Sequence, residues 1–179
     1  FIEQTGISGC DIIAHSFGGR VALLLAATRP ELIGKLLLTD AAGLLPKRSK
    51  GYYLKTNFFK TMKKLTYLIP NSDELRKKLS RFGSADYKAL PYCMKTTFVN
   101  VVNQDLAWCL PKVKAETLLI WGRNDTATPV WMGQQMEKEI KGSALIVLEN
   151  AGHFAYLDQC GSFLRIADAF FFPQKAKEA

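Results

Sequence analysis

An α/β fold, with a mostly parallel sheet flanked by helices and a helical insertion, is predicted by two observations. Four short apolar runs alternate with helix-patterned segments at both ends of the chain. Between the second and third runs the sequence turns basic, aromatic and helix-patterned. Apolar strands joined by helices bury both faces of a sheet, which is the habit of parallel strands. The expected core is residues 1–43 and 113–179, with 44–112 inserted after the second strand.

The elements follow in order. Residues 1–5 read as the end of a helix stopped by Gly6. Cys10 to His15 is a buried strand, and a helix from about Phe17 to Thr28 is closed by Pro30. Lys35 to Thr39 is the second strand, ending at Asp40 and the small turn Ala41-Ala42-Gly43. Thr117 to Trp121 is the third, broken by Gly122. Thr128 is expected to cap a helix with Pro129 in its first position, and Gly142 to end it. Ala144 to Leu148 is the fourth strand. Asp158 or Gln159 opens a last helix that stops at Pro173, and residues 174–179 form a frayed tail.

Composition narrows the class. The chain has 179 residues, 48% hydrophobic and 22% charged, which suits one compact domain. No apolar run reaches 18 residues, so no membrane span is expected. Cys10, Cys93, Cys109 and Cys160 form no C-x-x-C pair and read as free thiols of a reducing, cytoplasmic compartment. His15 and His153 lack ligand spacing to any cysteine, so no metal is expected. The net charge is +8. Much of it falls between Lys47 and Arg81, where basic residues mix with Leu54, Phe58, Phe59, Met62, Leu65 and Leu68 at helical spacing. That pattern is a solvated amphipathic helix, and no nucleic-acid partner is expected.

The strongest local signal is Ala14-His15-Ser16-Phe17-Gly18-Gly19, set between a strand and a helix. A nucleophile there needs a sharp turn, and small residues two before and two after it permit one. Ala14 stands where glycine is usual. Serine needs a base. His153, in Asn150-Ala151-Gly152-His153-Phe154, follows the fourth strand, and loops after parallel strands gather at one edge of the sheet. His15 precedes Ser16 and should point to the other side of the backbone. Asp125, in Trp121-Gly122-Arg123-Asn124-Asp125, follows the third strand and can orient the base. Asp40, after the second strand, is the alternative acid, and its structural reading is a turn-stabilising side chain.

The order Ser16, Asp125, His153 and these three segments resemble the α/β-hydrolase family, in its esterase and lipase-like branch. The resemblance implies a serine hydrolase of an ester or related carbonyl compound, with an acyl-enzyme on Ser16 and no cofactor. It implies that the N–H of Phe17 is one oxyanion donor, and that 44–112 is a cap or lid. Phe17, Trp131, Phe154, Tyr52, Tyr53, Phe58, Phe59 and Tyr67 suggest a small, apolar acyl or ester substrate. Ser16 argues against the dehalogenase branch, whose nucleophile is Asp. The resemblance begins just before the family's fifth strand. A fragment is therefore expected, with a bare sheet edge, without the loop that brings the second oxyanion donor, and with little turnover of its own. The alternative is a non-catalytic binding module or an inactive fragment.

Overall fold

The computed structural model describes residues 1–7, 9–45 and 85–173, with scattered positions between 51 and 74. The chain divides into two compact units, Phe1–Leu44 with Asp105–Ala179, and Leu45–Gln104.

The first unit holds a four-stranded parallel sheet in the order β1 (Cys10–His15), β2 (Ile33–Thr39), β3 (Glu116–Gly122), β4 (Ala144–Leu148). Side chains alternate along each strand, so apolar runs serve two cores. Leu36, Leu38, Leu119 and Trp121 enter one. Leu37, Leu118 and Ile120 enter the other. On the first face lies helix α1 (Phe17–Thr28), which buries Gly19, Ala22, Leu23 and Ala26, a stripe at helical spacing. On the second face Phe163 and Ala167 are buried. They lie on the last helix, which runs from Cys160 to Phe171 with Gln159 as its N-cap. β1 is an edge strand, and its Ile13 is exposed.

Three local expectations change. Residues 1–6 form a turn, with the Thr5 N–H on the Phe1 carbonyl, and no helix. Asp105–Lys112, expected with the insertion, clusters with the sheet unit. The cause is local hydrophobicity. Leu106, Cys109 and Leu110 are fully buried in the first core, and the Leu106 N–H donates to the Gly43 carbonyl at 2.9 Å. Finally, the helix after β3 begins at Val130 with Pro129 as its N-cap. Thr128 makes no cap because its hydroxyl is engaged elsewhere, as described below.

In the second unit the described helices are α2 (Ala85–Ala89) and α3 (Tyr92–Val102). We number the others α4 (Val130–Glu139), α5 (Ala155–Asp158) and α6 (Cys160–Phe171). Lys95 Nζ sits over the Tyr87 ring, 5.2 Å from its centroid, within reach of a cation–π contact. Asn103 ends α3 by placing its side-chain amide 2.7 Å from the Val99 carbonyl. Much of the basic stretch, with Tyr52, Tyr53, Phe59 and Tyr67, lies outside the described residues. Among the described residues no helix is long and apolar enough to cross a membrane. Cys10, Cys93, Cys109 and Cys160 are free thiols.

Candidate active site

Parallel strands deliver their following loops to one edge, and Ser16, Asp40, Asp125 and His153 all follow the C-terminal end of a strand. Ser16 is the single residue between β1 and α1. Its φ is +47°, a left-handed conformation that serine rarely adopts. The turn is tied on both sides. The Ser16 N–H donates to the Thr39 carbonyl, and its own carbonyl accepts from the N–H groups of Gly19 and Ala42.

The small residues around Ser16 divide the work differently from the sequence expectation. A Cβ added at Gly18 would sit 3.7 Å from the Ala14 Cβ, an ordinary contact. The methyl of Ala14 is therefore accommodated whether or not position 18 carries a Cβ. The tight position is Gly19, where a Cβ would lie 2.5 Å from the Ala41 Cβ and 3.1 Å from the Ala42 oxygen. There α1 crosses the turn after β2 with no side chain between them.

Three side chains form a continuous hydrogen-bonded chain. The Ser16 hydroxyl lies 2.9 Å from His153 Nε2, and His153 Nδ1 lies 2.9 Å from Asp125 Oδ2. An ionised carboxylate only accepts, so Nδ1 carries the imidazole proton. Nε2 then presents its lone pair to the serine hydroxyl. Asp125 is fully buried, while about a fifth of the His153 side chain is exposed. Burial alone pushes the Asp125 carboxyl up. Bonds from His153, the Thr128 hydroxyl, and the N–H groups of Thr128 and Ala127 outweigh it and hold the carboxyl below its ordinary value.

Thr128 is the residue that the sequence reading placed wrongly. Its hydroxyl lies 2.6 Å from Asp125 Oδ2 and 2.9 Å from the Asp40 carbonyl. Its single proton is shared between them, and the nearer, charged acceptor is the stronger. A Thr-Pro pair before a helix reads as a cap. Only the fold reveals a carboxylate closer to hand.

Asp40 does not contact the imidazole through any bond of its carboxylate. Oδ1 accepts the Gly122 N–H at 2.8 Å, and Oδ2 accepts the Ala155 N–H at 3.2 Å and the Thr39 hydroxyl at 3.1 Å. It therefore links the ends of β2 and β3 to the loop after β4. Burial pushes its carboxyl up to about 6, the nearby Asp125 charge adds to this, and the two N–H donors oppose it. Phe17 opens α1, so its N–H is among those without an intrahelical acceptor and points out of the helix start. His15 Nε2 lies 2.8 Å from the His153 carbonyl, a contact that the sequence reading missed.

Among the described residues no cluster of His, Cys, Asp and Glu is arranged to hold a metal. Chemically, the arrangement can remove a proton from the Ser16 hydroxyl and hold the resulting imidazolium against a buried carboxylate.

The family model described as alpha/beta hydrolase family matches residues 1–165. A pimeloyl-(acyl-carrier protein) methyl ester esterase of Neisseria meningitidis serogroup A is 28% identical over 176 residues, 86% of this chain and 54% of that protein. A 2-hydroxy-6-oxononadienedioate/2-hydroxy-6-oxononatrienedioate hydrolase of Pseudomonas putida is 24% identical over 189 residues, 92% of this chain and 64% of that protein. The chain spans between half and two thirds of the length of these two relatives. Among solved structures, an alpha/beta hydrolase from a sediment metagenome of the Mar Chica lagoon, Morocco, matches with a TM-score of 0.65 and 21% identity. That match covers 96% of this chain and 64% of the other.

Proposed function

Because this chain belongs to the alpha/beta hydrolase family, we propose that it acts as a serine hydrolase on an ester or related carbonyl substrate. The observation that carries the proposal is the unbroken hydrogen-bonded chain Ser16–His153–Asp125, with 2.9 Å at each link.

The Ser16 oxygen attacks the substrate carbonyl carbon while His153 Nε2 takes the hydroxyl proton. Asp125 holds the Nδ1 proton and stabilises the imidazolium. The carbonyl oxygen becomes an oxyanion, and the Phe17 N–H is its donor from this chain. The tetrahedral centre collapses, the carbon–oxygen bond to the leaving group breaks, and His153 returns its proton to the departing alcohol. Water then attacks the acyl-Ser16 ester by the same route. It gives its proton to His153, and the acid leaves as Ser16 is reprotonated.

Two features bear on the substrate. Phe17 and Phe154 directly follow Ser16 and His153 in sequence, and both are exposed. They favour a small molecule with an apolar acyl or ester group, in keeping with a relative named as a methyl ester esterase. The segment 44–112 is the candidate cap. The free thiols support a reducing, cytoplasmic setting.

The test is a stopped-flow assay with p-nitrophenyl esters on the protein expressed from its complete gene. A burst of about one p-nitrophenol per protein, followed by slower turnover, is the acyl-enzyme signature. Absence of both burst and turnover, or a burst that persists in Ser16→Ala, would contradict the proposal and favour a non-catalytic binding module.

A further inference from the structure

The general base has to be held at two distances at once, and His153 sits on a loop. The backbone of that loop is gripped by two side chains from the ends of β1 and β2. His15 Nε2 lies 2.8 Å from the His153 carbonyl. A carbonyl only accepts, so this nitrogen of His15 carries a proton and donates it. Two residues along, Asp40 Oδ2 accepts the Ala155 N–H at 3.2 Å.

Each grip is itself anchored. His15 precedes Ser16 at the end of β1, and its ring packs among those of His153, Phe154 and Tyr156, with centroids 4.9, 5.3 and 5.1 Å away. Asp40 is completely buried, and its second oxygen takes the Gly122 N–H at 2.8 Å. Both of its oxygens are thus committed to backbone donors, one at the end of the acid-bearing strand and one in the histidine loop. A carboxylate can serve two such donors, whereas an amide in its place has one oxygen and one NH₂ group.

We propose that His15 and Asp40 are positioning residues that clamp the backbone of residues 153–155 at two points, fixing the His153 imidazole between Ser16 and Asp125. Neither touches the reacting atoms. The inference rests on His153 being the base, as in the reading above. Its physical basis is the cost of a misplaced catalytic group. A displacement of about 1 Å can lower a rate by about 100-fold with little effect on ground-state binding.

The test uses the full-length protein and a fluorophosphonate, whose saturation kinetics separate binding from the chemical step at Ser16. It also uses the low-field proton NMR signal of His153 Nδ1–H, which does not depend on turnover. His15→Phe keeps a ring in the cluster and removes the donor. It is expected to slow the maximal labelling rate about 10- to 100-fold, leave half-saturation unchanged, and broaden or shift the Nδ1 signal. His15→Gln, which returns an N–H donor, is expected to recover part of the rate. Should His15→Phe not fold, His15→Asn carries the same expectation, because its amide is too short to reach the carbonyl. Asp40→Asn is expected to slow labelling in the same manner. Labelling at the wild-type rate with an unmoved Nδ1 signal in the His15 variants would overturn the clamp. Failure of the wild-type protein to label, or labelling of Ser16→Ala, would instead overturn the hydrolase reading.

Discussion

Single side chains set the electrostatics of this site, and each can be tested alone. Asp125→Asn leaves the volume unchanged, but its amide turns an N–H toward Nδ1. The imidazole then adopts the other tautomer and presents a proton to Ser16 in place of a lone pair. We expect the turnover number to fall about 10⁴-fold with KM little changed, checked by steady-state ester hydrolysis. Thr128→Val removes the hydroxyl 2.6 Å from the buried Asp125 oxygen. Loss of a bond to a buried charged acceptor costs about 1–3 kcal/mol, to be read from the urea midpoint. Asp40 carries a pH signature. Its carboxyl is raised from an ordinary 3.8 to about 6. Well below about pH 4 both folded and unfolded chains hold this proton, and the stabilising contribution is fully present. Between about 4 and 6 the unfolded chain has largely released it while the folded chain has not, so stability falls as pH rises. The stability of the wild type relative to Asp40→Asn should therefore shrink by about 2 kcal/mol from pH 4 to pH 7, measured by paired urea titrations. Ser16, His153 and Asp125 could be singled out in the sequence because each sits in a distinctive segment after an apolar run. His15 and Thr128 could not. The partner of His15 is a backbone carbonyl 138 residues away, and the partner of Thr128 is chosen by which acceptor the folded loop brings nearest.

At the scale of elements, close backbone approaches decide the shape of the site. Gly19 lets α1 pass the turn after β2, and Gly122 lets the end of β3 meet the histidine loop. At Gly122 an added Cβ would lie 2.1 Å from the Gly152 oxygen. Gly18 has room. Gly18→Ala is expected to be neutral or slightly stabilising, since alanine favours a helix by up to about 1 kcal/mol. Gly19→Ala should destabilise by about 1–3 kcal/mol through overpacking against Ala41. Equal denaturation midpoints for the two variants would contradict this division. The four strands were readable because each short apolar run is bounded by turn residues and alternates with a helix-patterned segment. The start of α4 lies one residue later than the Thr-Pro signal suggests, at Val130 with Pro129 as its N-cap, since that signal states a preference that a buried carboxylate overrode. The first residues were misread as helix because one i to i+4 bond, from the Thr5 N–H to the Phe1 carbonyl, makes a turn that the sequence pattern alone does not distinguish from a helix end.

For the whole molecule, the chain is two units in one sequence, and the candidate site is complete in its serine, histidine and acid within the sheet unit. The alternation of strands and helices at both ends made the sheet unit legible. The boundary near Asp105 was not, because the short apolar stretch Leu106–Leu110 carries no strand pattern, and only the fold shows Leu106, Cys109 and Leu110 buried in the same core as α1. The central claim is that Ser16 is the nucleophile. Its most direct test is mass-spectrometric mapping of the full-length protein after treatment with a fluorophosphonate. A single adduct on Ser16, absent from Ser16→Ala and strongly slowed in His153→Ala, is the expected result. An adduct on another residue, or an unmodified Ser16 in folded protein, would contradict it.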